Sequence, residues 1–215
     1  RDGGLAGLAT GFKDLDKQLG GLHPSDLLVL AGRPAMGKTA LATNIAYHVA
    51  TAHQPDGSRP VVAFFSLEMS AEQLATRILS ENTEISSEKI RRGELSSNDF
   101  QKLVKSSQKL ESALLFIDDT PAIPVSTLRT RARRLLRQHD LSLIIVDYLQ
   151  LMRPSPGQRT DNRVQEVSVI TQGLKAIAKE LDVPILALSQ LSRAVEQRED
   201  TVSYTHLTLP TRRGV

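Results

Sequence analysis

The sequence predicts an α/β protein built on a mainly parallel sheet with helices on both faces, and three observations predict it. Five short apolar runs recur along the chain, and between them apolar residues return every three or four positions. Strand alternating with helix implies right-handed crossovers between parallel strands that are buried on both sides. A length of 215 residues with 40% hydrophobic content is enough for one core that folds without covalent staples.

The elements follow in order. The first apolar run, 27–31, leads through a loop of small residues into a helical pattern over 38–52. The second run, 61–65, precedes helical patterns at 71–81 and 97–111. The third and fourth runs, 114–117 and 143–146, are followed by helices at 126–139 and 164–181, and the fifth run is 183–188. The polar segments 54–60 and 153–161 carry Pro and Gly and read as loops, and there is no internal repeat. In such sheets ligands bind beyond the carboxyl ends of the strands, so functional residues belong there.

Composition excludes several classes. With no cysteine there is no disulfide or thiolate metal site, and the five histidines lack HExxH-like spacing, which argues against zinc. No apolar stretch approaches a membrane span and no signal-peptide pattern opens the chain, so a soluble, cytoplasmic protein is expected. The start at Arg1 instead of Met suggests a piece of a longer chain. The net charge of +3 drops by two, to +1, without residues 202–215, which contain Arg212 and Arg213 and no acid. Charge alone therefore gives no case for nucleic-acid binding, and 4% aromatic content leaves little for base stacking. Any nucleic acid would be held mainly by its phosphates.

The stretch Gly32-Arg-Pro-Ala-Met-Gly37-Lys38-Thr39 matches G-x-x-x-x-G-K-[ST] in full, with a strand before it and a helix after. Glycines let the backbone curl so that N–H groups face phosphates, Lys38 reaches the outer phosphates, and the Thr39 hydroxyl ligates Mg²⁺. Gly32, Arg33, Ala35, Met36, Gly37, Lys38, Thr39 and Ala40 are thus the expected nucleotide-binding residues, with ATP and Mg²⁺ as ligands.

Three strand ends supply further candidates. Asp147 follows the apolar run of "LSLIIVDYLQLM" and is placed to hold Mg²⁺ through water. The next residue is Tyr148, where many P-loop ATPases carry a glutamate, so the base must come from elsewhere. Glu68 in "VVAFFSLEMS", just past the second strand, can orient and deprotonate water for in-line attack on a γ-phosphate. Gln190 ends "VPILALSQ" and can sense the γ-phosphate. Arg129, Arg133 and Arg137 share a helix face that reads as solvated or as a subunit contact. For DNA, the polar loop 153–163 is the best candidate, with Arg153, Arg159 and Arg163, together with Arg193.

Together, "TGFKDLDKQLGGL", "AGRPAMGKT", "FFSLEMS", "FIDDTP", "IIVDYLQLM" and "LKAIAKELDVPILALSQLSRAVEQR" resemble, in order and spacing, the C-terminal ATPase domain of bacterial replicative DNA helicases, the DnaB family. The resemblance runs from about residue 10 to residue 200. It implies a RecA-like P-loop NTPase fold. It also implies a homohexameric ring that encircles one DNA strand, moves 5′ to 3′ and hydrolyses ATP at subunit interfaces, with a primase and a helicase loader as partners. Lys38 and Thr39 match the P-loop pair, Glu68 the catalytic glutamate, Asp147 the magnesium-linked aspartate and Gln190 the γ-phosphate sensor. The alternatives are a RecA/RadA-type recombination ATPase, against which "SLEMS" argues, and a module that binds ATP to set oligomeric state without unwinding.

Two departures accompany the resemblance. The family's N-terminal collar domain has no counterpart here, as expected of a chain that begins inside the linker. After "VEQRED" the family continues into a DNA-binding loop and an arginine finger for the neighbouring subunit, whereas this chain reads "TVSYTHLTLPTRRGV". Residues 202–211 resemble the translation of a transposase-type sequencing adapter. The expected organisation is therefore an ATPase core over 1–201, incomplete at its C-terminus, and an artefactual tail over 202–215.

Overall fold

The computed structural model describes residues 5–34, 37–54 and 56–191. Five strands, β1 (Leu27–Gly32), β2 (Val61–Ser66), β3 (Leu115–Asp118), β4 (Leu141–Asp147) and β5 (Ile185–Gln190), form one sheet in the order β1-β5-β4-β2-β3. Every pairing is parallel. The helices are α1 (Lys13–Leu19), α2 (Lys38–Thr51), α3 (Ala71–Thr83), α4 (Ser87–Arg92), α5 (Ser97–Ser112), α6 (Val125–His139) and α7 (Arg163–Leu181), with a 3-10 turn at Leu149–Leu151.

The sheet separates two apolar layers. Ala63, Phe65, Ile144, Val146, Ile185 and Ala187 face Leu128 and Ala132 of α6 and Ile170, Leu174 and Ile177 of α7. Val62, Phe64, Leu143, Ile145, Leu186 and Leu188 face Ile45 and Val49 of α2 and Leu74 and Ile78 of α3. Large side chains buried in this way each contribute roughly 1.5–3 kcal/mol relative to exposure. The chain leaves β1 on the α2 side and leaves β4 on the α7 side, which opens a crevice at the carboxyl ends of β1, β5 and β4.

One irregularity keeps the layers distinct. Val61 pairs with Leu141 and Val62 with Leu143, so Ser142 is an extra residue in β4. Leu141 consequently joins the α6/α7 layer while Leu143, two residues on, joins the other. The Ser142 hydroxyl accepts from the Val61 N–H at 3.2 Å, which offsets the interrupted ladder. The polar Ser142 breaks the apolar run, and for that reason the sequence places the start of this strand at 143 when it begins at Leu141.

The other differences have similar causes. β5 begins at Ile185 and extends through Ser189 and Gln190, because Pro184 has no N–H for the ladder and the polar pair stays bonded to β1. α1 and α4 are absent from the apolar pattern. Both are short, and α4 is set by its ends, with the Ser86 hydroxyl accepting from the Lys89 N–H at 3.2 Å and Gly93 in the left-handed conformation. α6 does present arginines on its surface, but Arg129 and Arg133 both bind Glu180 of α7, the former at 2.7 Å, so two of the three close an interhelix contact within the chain.

The leading segment packs over α2. Thr10 is fully buried, and its N–H and hydroxyl both donate to Asp16 Oδ1, at 2.8 and 2.7 Å. Gly11 has φ of +90°, and a Cβ there would lie 2.6 Å from the His48 ring, so only glycine fits between this turn and α2.

Candidate active site

The P-loop leaves β1 at Gly32 and enters α2 at Gly37, whose φ of +78° is left-handed and which makes no side-chain cap bond. The first N–H groups of α2 are therefore open to an anion. Lys38 is only 7% exposed, and its ammonium donates to the Gly32 carbonyl and, at 3.0 Å, to the Arg33 carbonyl. A Cβ at Gly32 would sit 3.3 Å from the Lys38 stem, so the glycine leaves room for that arrangement. Burial lowers the ammonium's pKa and the nearby Asp147 opposes that shift. Ala40 lies half-buried in the first turn of α2, and Arg33 is exposed on the loop. Ala35 and Met36 lie outside the described residues.

Asp147 ends β4 and is 4% exposed. Its Oδ2 accepts from the Thr39 hydroxyl at 3.0 Å, joining two residues 108 positions apart. Burial raises its pKa above the usual carboxylate value; the Thr39 bond opposes the shift, Glu68 adds to it, and Arg77 and Lys38 pull against it. A half-buried hydroxyl bonded to a buried carboxylate beside an open helix N-terminus suits a hard cation, such as Mg²⁺, that keeps most of its own water and phosphate ligands. Among the described residues there is no cluster of three or more His, Cys, Asp or Glu that could hold a metal ion.

Glu68 is exposed on the turn after β2. The buried Ser66 hydroxyl donates to the Met69 carbonyl at 2.8 Å, and the capping box of Ser70 and Gln73 opens α3 directly afterwards, so both ends of the turn are fixed. The Leu67 N–H also bonds the Asp147 carbonyl at 2.9 Å, which ties the Glu68 turn to the β4 end. The Glu68 charge acts on both Asp147 and Tyr148, raising the pKa of each after burial.

At the end of β5, Gln190 is half-buried opposite Gly32 of β1. Gln150, in the 3-10 turn after β4, contacts it with its carboxamide. Gln150 is not among the residues the sequence points to, and its one signal is its place three residues after Asp147 in "DYLQLM". Also unforeseen was a polar brace behind the P-loop helix. Glu81 of α3 accepts from Thr43 at 2.6 Å and Asn44 at 3.1 Å of α2 and pairs with Arg77 at 3.2 Å.

The proposed DNA residues divide. Arg153 and Arg159 present exposed side chains, and the Arg153 backbone is held by bonds to the Ile123 carbonyl and the Val125 N–H. Arg163 is exposed as well, with its guanidinium bonded to the Gln150 carbonyl and paired with Glu166, the latter at 2.8 Å. Arg193 and the tail 202–215 lie outside the described residues.

A parallel sheet of this order, with a G-x-x-x-x-G-K-T loop between β1 and α2 and a buried aspartate of β4 bonded to the loop threonine, defines a P-loop nucleoside triphosphatase of RecA-like architecture. Within that class the chain belongs to the family of the DnaB-like helicase C-terminal domain, whose model matches residues 7–204. It is 53% identical over 201 residues to the replicative DNA helicase DnaB of Rickettsia prowazekii, covering 91% of this chain and 41% of that protein. To the DnaB of Geobacillus stearothermophilus it is 48% identical over 200 residues, covering 93% and 43%. The chain thus spans about two fifths of the length of these relatives. A solved DnaB-like replicative helicase, described with its interactions with primase, superposes with a TM-score of 0.80 at 33% identity, covering 93% of this chain and 46% of that one. A second solved structure, that of an ATPase domain, superposes at 0.81 with 33% identity, covering 93% and 69%. Among the described residues no helix is long and apolar enough to cross a membrane.

Proposed function

We propose that this chain is the nucleotide-binding and hydrolysing core of a replicative DNA helicase, a hexameric cytoplasmic translocase that moves 5′ to 3′ on single-stranded DNA. The observation that carries the reading is the Thr39–Asp147 hydrogen bond, which joins the P-loop to the β4 aspartate at the crevice where the family's relatives would place ATP. Lys38 leaves its carbonyl partners for the outer phosphates, exchanging bonds to neutral oxygens for bonds to charged ones. Thr39 and Asp147 would hold Mg²⁺, which supplies charge neutralisation of the phosphates when bound. Glu68, exposed and fixed at both ends of its turn, accepts the proton of the attacking water. Gln190 meets the γ-phosphate and reports its presence. Arg153, Arg159, Arg163 and Arg193 bind the DNA phosphates, and the partners are single-stranded DNA, five further copies of the protein, a primase and a loader. Residues 202–215 take no part.

The test is ATP hydrolysis by this chain with Mg²⁺, with and without single-stranded DNA. Hydrolysis that DNA accelerates supports the proposal. ATP bound with full affinity and never hydrolysed under either condition, even when the chain is mixed with a full-length relative that can supply the neighbouring subunit's arginine finger, would replace it with a module that binds nucleotide to set assembly.

A further inference from the structure

The β4–β5 ladder stops at Val146–Ala187, because β4 ends at Asp147 and the chain turns into the 3-10 segment. β5 continues for Leu188, Ser189 and Gln190 with β1 on one side only. On the other side, where a strand would be, lies the side chain of Gln150. Its Nε2 donates to the Ser189 hydroxyl at 2.7 Å and to the Gln190 carbonyl at 2.9 Å, and its Oε1 accepts from the Gln190 N–H at 3.2 Å. The carboxamide thus pairs with the Gln190 backbone as a neighbouring peptide group would. The turn that carries it is fixed by Leu149 and Met152, 2% and 1% exposed. The Gln150 carbonyl in turn accepts from the Arg163 guanidinium at the start of α7, where the loop after Met152 ends, and Glu166 holds that guanidinium at 2.8 Å.

We infer that Gln150 is a positioning residue: its side chain sets the backbone from which Gln190 meets the γ-phosphate, and its carbonyl ties that point to the loop 153–163. The inference rests on the nucleotide reading above and adds a residue that touches neither phosphate nor water. Both halves of the amide are needed. Asparagine is one methylene short, and a glutamate carboxylate has no N–H for the two acceptors and would face the Gln190 carbonyl with negative charge. Loss of the γ-phosphate contact at Gln190 reaches the loop through one residue, without a chain of rearrangements.

The experiment compares Mg·ATP and Mg·ADP affinity, turnover and melting temperature in this chain for wild type, Gln150→Met and Ser189→Ala. Methionine keeps the length and bulk and removes all three bonds, whereas Ser189→Ala removes one acceptor and leaves Gln150 in place. The expected result for Gln150→Met is ADP affinity within about twofold of wild type, with ATP affinity and turnover each lower by about fivefold or more. Ser189→Ala shifts the ATP-to-ADP ratio in the same direction by less, and it carries the test if Gln150→Met does not fold. An unchanged ratio in the folded variants, or ATP and ADP affinity falling in parallel with melting temperature, overturns the positioning role. A wild-type chain that binds neither nucleotide overturns instead the nucleotide reading on which the inference stands, and one that binds both equally overturns the γ-phosphate contact of Gln190 and with it the inference.

Discussion

The two ends of the same five strands are built on opposite plans. At the amino ends, charged groups meet in solvent. Lys175 and Asp26 lie 3.8 Å apart with side chains 41% and 64% exposed, and the Ser25 hydroxyl donates to Asp182 at 2.6 Å on the surface. At the carboxyl ends, Lys38 and Asp147 are 7% and 4% exposed, and burial works against the charge on each. Exposed pairs of the first kind contribute little to stability. Buried charges of the second kind are costly to the empty protein and persist where a ligand repays them. The difference teaches where to look for function: at the carboxyl ends, where charge is buried against its solvation.

Several substitutions break or sharpen this contrast. The largest effect is expected from Lys38→Ala, which should weaken Mg·ATP binding by about a hundredfold or more by removing a charge-assisted contact in a dry site. Titration with a fluorescent ATP analogue measures it, and a loss below about threefold would mean that Lys38 keeps its carbonyl partners when nucleotide binds.

Asp147→Asn comes next. It should reduce the gain in ATP affinity that Mg²⁺ gives by about tenfold, while raising the melting temperature of the nucleotide-free chain. The pH dependence follows from the direction of the shift. The folded chain holds the Asp147 proton more tightly than the unfolded chain, so the penalty on the carboxylate is full at neutral pH, shrinks as pH falls through the raised pKa and is gone below the ordinary value of 3.8. The melting advantage of Asp147→Asn should therefore be widest near pH 7.5 and narrow toward pH 4, as a thermal-shift series would record. A variant less stable than wild type at pH 7.5 would show that the Thr39 bond outweighs burial.

The smallest effect belongs to the amino end. Lys175→Ala, which removes the exposed pair with Asp26 and the bond from its ammonium to the Ser25 carbonyl at 2.8 Å, should change unfolding free energy by about 1 kcal/mol and leave ATP affinity untouched. Denaturant unfolding and the same titration suffice, and a fall in ATP affinity would mean that the two ends are coupled.

Much of this was legible in the sequence, and the exceptions share a cause. The strands announced themselves because parallel strands between two helical layers are apolar on both faces, as "VVAFF" and "LIIV" are. Lys38, Thr39 and Asp147 announced themselves because the phosphate loop has fixed spacing and a buried strand rarely ends in a carboxylate without reason. Gln150 gave no such sign. It acts through its carboxamide on a backbone 40 residues away, and neither composition nor period encodes that contact. The same holds for Glu81 bracing Thr43 and for Glu180 taking up Arg129 and Arg133, where a helix surface looked solvated until its neighbour was in place. Short α4, defined by caps and not by an apolar face, lay below what periodicity detects.

The most direct test of the hydrolytic assignment is single-turnover hydrolysis of Mg·ATP by Glu68→Gln beside wild type, with ATP binding measured on the same samples. ATP affinity within about twofold of wild type and a hydrolysis rate lower by about a hundredfold or more is the result expected of a residue that takes the proton of the attacking water. Hydrolysis by Glu68→Gln at the wild-type rate would contradict it and move the base to another residue of this edge.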